Sequence, residues 1–156
     1  MPAKDIENSI IVRILPVQVP QLWEVLKFAC VQTDEVDQSN IPRYLNELLH
    51  ALLSNKAQCF IRLGEDRTLL MLVLTRIMFD KFTGEKDLFV QCLYSFKAVE
   101  DEIWKRGIQL IEEFARKEGC RTVSFNSRRP RIWEVAKLIG FTEKHRVFSC
   151  EVGGEL

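Results

Sequence analysis

The stretch that decides the fold runs from Lys86 to Cys120. It opens with Asp87-Leu88-Phe89-Val90-Gln91-Cys92-Leu93-Tyr94, a run rich in β-formers, and continues through the helical pattern of Glu102 to Glu118. That pattern places Ile103, Trp104, Gly107, Leu110, Ile111, Phe114 and Ala115 at helical spacing, and Gly119 stands where a C-cap is expected. Thr122-Val123-Ser124-Phe125-Asn126 follows at once and reads as a second strand. Two strands joined through a helix run parallel, with the helix across one face of their sheet. What the connection Phe96–Asp101 can hold then bears most directly on function.

Upstream, Ile10 to Leu15 predicts a strand ended by Pro16. A helix follows Pro20 through Leu22, Trp23, Leu26, Phe28 and Ala29, and Gln32 to Ser39 reads as a polar loop. Asn40 caps a second helix through Tyr44, Leu45, Leu48, Leu49, Leu52 and Leu53. Ala57–Leu63 is a strand, Gly64-Glu65-Asp66-Arg67 a tight turn with the glycine supplying the unusual dihedral, and Thr68–Phe79 a strand apolar on both faces. Asp80 to Lys86 turns the chain back into the crossover. Beyond Asn126, Ser127-Arg128-Arg129-Pro130-Arg131 leads into a short helix, Ile132 to Ile139, closed by Gly140; Phe141 to Val152 reads as a last strand. The order predicts an α/β chain with a mixed, mainly antiparallel sheet, one splayed parallel pair and helices on both faces. No repeat or linker divides residues 1–156, so a single domain is expected.

With 156 residues, 47% of them hydrophobic, ten Phe and three Trp, the chain can bury a core. Its formal net charge is zero, which gives no general attraction for nucleic acid or an anionic membrane. Arg128-Arg129-Pro130-Arg131 lacks the interleaved aromatics of a nucleic-acid groove, so nucleic acid is not the expected partner. The apolar runs are too short or too charged to span a bilayer, and the start has no signal-like apolar region. A soluble, cytoplasmic protein is expected. The five cysteines form no C-x-x-C pair and stand in no metal spacing, so they read as small hydrophobes in a reduced compartment. His50 and His145 read as surface residues with no ligand spacing, and no metal site is expected. Ser124 and Ser127 lack a nucleophile-elbow context.

Two stretches carry a family resemblance. Ile108-Gln109-Leu110-Ile111-Glu112-Glu113-Phe114-Ala115-Arg116-Lys117-Glu118-Gly119-Cys120 and Trp133-Glu134-Val135-Ala136-Lys137-Leu138-Ile139-Gly140-Phe141 resemble the third and fourth helices of the GNAT acetyltransferase superfamily, each with its closing glycine. The resemblance implies the fold and, in active members, an acyl-CoA pyrophosphate held by a Gln/Arg-x-x-Gly-x-Gly/Ala loop at the start of the third helix. Small residues there let backbone N–H groups close on phosphate, and the positive end of the helix dipole assists. Here the matching positions hold Val99-Glu100-Asp101-Glu102-Ile103-Trp104, with no glycine between Gly84 and Gly107. The degenerate loop is therefore Glu100, Asp101 and Glu102, and a substitute could be built on Lys105, Arg106 and Gly107. Active members often carry a tyrosine acid in the fourth helix; Ala136 stands at that position and has no proton to give. Tyr94 is the nearby phenol. The chain resembles the small GNAT-like virion or assembly proteins of short-tailed phages, which implies a non-catalytic role through protein contacts, in the cytoplasm or the virion, without cofactor. Arg128, Arg129 and Arg131, cations at a helix start, are the candidate partner-binding residues. The alternative is an acetyl-CoA-dependent N-acyltransferase with an atypical loop.

Overall fold

The computed structural model describes residues 10–153. They fall into two compact units, the first ending at Asn126 and the second beginning at Ser127. In the first unit, β1 (Ile10–Ile14), α1 (Val19–Asp34), α2 (Ile41–Leu53), β2 (Ala57–Leu63), β3 (Leu69–Phe79), β4 (Lys86–Ser95), α3 (Asp101–Lys117) and β5 (Thr122–Ser124) follow in order. The second unit holds α4 (Pro130–Leu138).

The strands form one five-stranded sheet in chain order. β1 to β4 pair antiparallel, and β4 and β5 pair parallel. Side-chain alternation sends the two faces to different helices. Cys59, Ile61, Leu72, Leu74 and Cys92 join Leu26, Ala29 and Cys30 of α1 and Leu48 and Leu52 of α2 in one core. Phe60 and Leu88 meet Ile111 and Ala115 of α3 in the other, with Val73, Ile77 and Phe114 packed against them. The sheet thus carries helices on both faces, as the sequence implies.

α3 ends in the geometry its glycine predicts. Gly119 takes φ +76, its N–H donates to Arg116 O at 3.1 Å, and Cys120 N–H donates to Ala115 O at 2.8 Å. These two bonds make a Schellman cap. α4 repeats it: Gly140 N–H reaches Lys137 O at 3.3 Å and Phe141 N–H reaches Ala136 O at 2.8 Å.

Four expectations are corrected. Gln32–Ser39 is not all loop: α1 runs on to Asp34 and stops at Glu35, which takes a left-handed φ of 49° without being glycine. In the turn after β2 the positive φ of 63° belongs to Arg67 rather than Gly64; Asp66 accepts the N–H of Thr68 at 3.0 Å and shapes the turn. The buried stripe of α3 is Ile103, Ile111 and Ala115, whereas Trp104 is only half-buried. Phe141–Val152 is not a strand in the described residues: no ladder includes it, and Val147, Phe148 and Val152 are exposed. Its alternation meets the local requirement for a strand, but a strand also needs a neighbour to satisfy its backbone.

Candidate functional site

The parallel pair sets the frame. Asp87, Leu88 and Phe89 of β4 stand beside Thr122, Val123 and Ser124 of β5, and the ladder then ends while β4 runs on to Ser95. Asp87 pins the paired end by accepting the hydroxyls of Thr122, at 2.6 Å, and of Ser124. The ladder spans the whole of β5, and β4 runs on past its end.

The connection after β4 is tied down by Phe96 N–H, which donates to Leu70 O at 2.9 Å. Glu100 is extended (φ −77, ψ 154) and serves as N-cap of α3, its carbonyl accepting from Ile103 and Trp104 N–H at 3.0 and 3.2 Å. Asp101 and Glu102 occupy the first turn and Arg116 and Lys117 the last, all complementing the helix dipole, whereas Glu118 at the C-cap opposes it. Glu100, Asp101 and Glu102 are exposed, and Glu102 pairs with Lys105 at 3.6 Å. Lys105, Arg106 and Gly107 lie within α3 rather than in a loop, and a Cβ added at Gly107 would meet nothing within 4 Å. A cavity of about 420 Å³ beside this helix start is lined by Arg62, Gly64, Glu65, Asp66, Leu70, Lys97, Ala98, Glu100 and Ile103. Its walls carry three acids and two cations. A hollow of about 570 Å³ lies at the other end of β4, on the β3–β4 turn around Phe79 and Phe82. The start of α3 therefore has the donor geometry of a helix N-terminus but the wrong side chains for a pyrophosphate, which needs bare backbone and positive charge.

Tyr94 stands between two rings, 5.7 Å from Phe28 and 4.9 Å from Phe96, both edge-on. That is the setting of a packed sheet aromatic.

On the α1 side of β4 lies a polar chain that the sequence did not announce. A bulge in β4 leaves Gln91 between Val90, opposite Thr75, and Cys92, opposite Leu74. The extra residue lets consecutive side chains reach the same helix. Gln91 donates to Asp34 Oδ2 at 2.9 Å, Cys92 Sγ lies 3.2 Å from Thr33 Oγ1, and the Tyr44 hydroxyl donates to Asp34 Oδ2 at 2.5 Å. Arg76 Nε donates to Gln91 Oε1 at 2.9 Å. Burial, helped by the carboxylate of Asp34, holds the Tyr44 phenol well above its ordinary value. The available signal was a carboxylate at a helix C-terminus, where the dipole disfavours it.

In the second unit, Pro130 opens α4 behind Arg129, the N-cap. Ser127 Oγ accepts Arg129 N–H at 3.1 Å, and Ser127 O accepts the Trp133 indole N–H at 2.7 Å. Arg131 pairs with Glu134 at 3.5 Å, both side chains being largely exposed. Among the described residues no group of three or more His, Cys, Asp or Glu is placed to hold a metal, and no helix is long and apolar enough to cross a membrane.

Neither a protein-family profile nor a curated protein sequence matches the chain. Solved structures do. An aminoglycoside acetyltransferase from an uncultured soil metagenomic sample, in complex with sisomicin, superposes with a TM-score of 0.72 at 14% identity over 96% of this chain and 98% of its own. A predicted acetyltransferase from Clostridium acetobutylicum with acetyl-CoA gives 0.72 at 9% identity over 92% and 96%. The ribosomal-protein-alanine N-acetyltransferase of Brucella melitensis biovar Abortus gives 0.67 at 14% identity over 92% and 99%. With the parallel pair and the glycine-closed third helix, these superpositions show that the chain has the fold of the GNAT acetyltransferases.

Proposed function

We propose that this chain uses the GNAT scaffold for protein contacts rather than for acyl transfer. The observation that carries the reading is the start of α3, where Glu100, Asp101 and Glu102 occupy the place a pyrophosphate needs. The acids suit the helix and repel the phosphate. Ala136, which has no proton to give, supports the same reading. Arg128, Arg129 and Arg131 are the residues proposed to meet a protein partner, and a virion or assembly component of a short-tailed phage is the form of that role the sequence resemblance suggests. Calorimetric titration with acetyl-CoA tests it. No binding is expected at sub-millimolar ligand, and a dissociation constant in the low micromolar range would overturn the proposal.

A second reading has its own observation. The β4–β5 ladder ends at Phe89 and Ser124 while β4 runs on to Ser95, and a structure of the same fold holds acetyl-CoA. On that reading the chain is an acyl-CoA-dependent N-acyltransferase with an atypical loop. Tyr94 is then the phenol to test as proton donor, and Tyr94→Phe would abolish turnover while leaving the fold intact.

A further inference from the structure

The β3–β4 hairpin ends in an apolar tip that belongs to neither core among the described residues. Phe82 is 101% exposed, Phe79 59% and Met78 44%. The tip is nonetheless tightly built. Asp80 Oδ1 accepts Phe82 N–H at 2.8 Å and Thr83 N–H at 3.3 Å. Gly84 N–H donates to Asp80 O at 2.8 Å, and Asp80 N–H donates to Glu85 O at 2.9 Å. Thr83 Oγ1 accepts Glu85 N–H at 3.2 Å, and Glu85 pairs with Arg121, the residue before β5. So well bonded a turn holds the Phe82 ring in water, where it gains nothing from its own fold. The hollow of about 570 Å³ lies beside it, with Met78, Phe79, Lys86 and Thr122 in its walls. One patch therefore carries a protruding ring and a recess that can take one.

We infer that this tip is a self-association surface, at which the Phe82 ring of one copy seats in the hollow of a second copy, and the reverse. The inference goes beyond the protein-contact reading and does not depend on it. A twofold pair sets one patch against itself, so the patch must be its own complement. Here ring and hollow supply that complement in shape. Charge supplies it too: with Glu85 engaged by Arg121, Lys81 and Lys86 are left to face Asp80 and Asp87 across the axis. A patch of one sign would repel its copy, and an anionic membrane would call for cations alone. The bonded turn keeps the cost of ordering low. The three exposed side chains offer roughly 400 Å², about half of what each partner of a standard interface buries. Association is therefore weak and concentration-dependent.

The experiment is sedimentation velocity on the full chain from about 5 to 500 μM, where a monomer–dimer equilibrium is expected. Phe82→Ser should weaken it at least about tenfold, as loss of a hot-spot aromatic does, with the melting temperature unchanged because the ring is fully exposed. Lys81→Glu, which leaves the patch with an excess of acid, should weaken it as well. With Phe82 replaced by photoreactive p-benzoylphenylalanine, irradiation should give a dimer cross-linked to the hollow around Met78, Phe79 or Thr122. A monomer throughout the range, a dimer indifferent to Phe82→Ser, or a cross-link elsewhere overturns the proposal. Vesicles of phosphatidylcholine and phosphatidylserine should leave the chain in solution. Flotation of a monomer with them that Phe82→Ser abolishes would assign the tip to a lipid surface and overturn the second copy.

Discussion

Asp34 closes α1 at the end where the helix dipole disfavours a carboxylate, and the Tyr44 hydroxyl and Gln91 amide both donate to its Oδ2. Hydrogen bonds to a charged group are worth ~1.5–3 kcal/mol, and removing this acceptor strands two partly buried donors. Asp34→Ala should lower the free energy of unfolding by about 2–3 kcal/mol, and Asp34→Asn by about half of that, as read from denaturant midpoints at constant slope. Tyr44 adds a pH signature. Its folded-state value lies well above the ordinary 10.0, so the native state keeps the phenol proton after the unfolded state has lost it. The stability this contributes is complete below the unfolded value and is lost as pH rises from there through the folded value. Tyr44→Phe should therefore flatten the alkaline fall of stability relative to the parent; equal slopes would mean the phenol is not held. None of this chain was legible beforehand. Asp34 and Gln91 are 57 positions apart, and the bulge that brings Gln91 to α1 has no glycine or proline to mark it. The three acids at the start of α3 and the missing glycines, by contrast, were plain in the sequence, because a helix start is a local feature.

At the level of elements, local rules served best where the chain satisfies itself locally. Strand β2 came out with its predicted boundaries, and both glycine-closed helices end in the cap their sequence requires. Rules failed where a neighbour decides: Phe141–Val152 alternates like a strand yet joins no ladder in the described residues, and α1 ends on Glu35 with nothing in its side chain to announce a stop. Helix α3 can be tested along its length. Gly107 is helical with empty space around its absent Cβ, so Gly107→Ala should raise stability by roughly 0.5–1 kcal/mol. The same variant tests the substitute phosphate loop, since a loop there would lose affinity for a phosphate ligand while a plain helix would only melt later. On the buried stripe, Ile111 is 6% exposed and packs on Phe60 and Leu88. Ile111→Ala should cost about 2–5 kcal/mol, and the same truncation at half-buried Trp104 should cost clearly less. Equal losses at the two sites would put the helix in the wrong rotational register.

For the whole molecule the proposed protein-contact role turns on whether a chain with this fold and zero net charge admits acetyl-CoA, which a solved structure of the same fold holds. Two obstacles stand at the start of α3. One is charge. A carboxylate roughly 7 Å from a docked phosphate charge in a water-like dielectric costs about 0.6 kcal/mol, so Glu100, Asp101 and Glu102 together cost ~2 kcal/mol, or about thirtyfold in affinity. The other is backbone: no glycine stands between Gly84 and Gly107, so side chains flank every N–H that would have to approach the phosphates. The variant Glu100→Gln, Asp101→Asn, Glu102→Gln removes the first obstacle and leaves the second. It also removes dipole complementarity worth ~0.3–1 kcal/mol per residue, so it should melt earlier than the parent by an amount matching about 1–3 kcal/mol. That loss shows that the substitutions reached the helix start. Acetyl-CoA should still bind it no better than in the high micromolar range at physiological salt. Low micromolar binding by this variant alone would mean that charge was the whole barrier, leaving the cleft otherwise competent and bringing the acyltransferase reading forward.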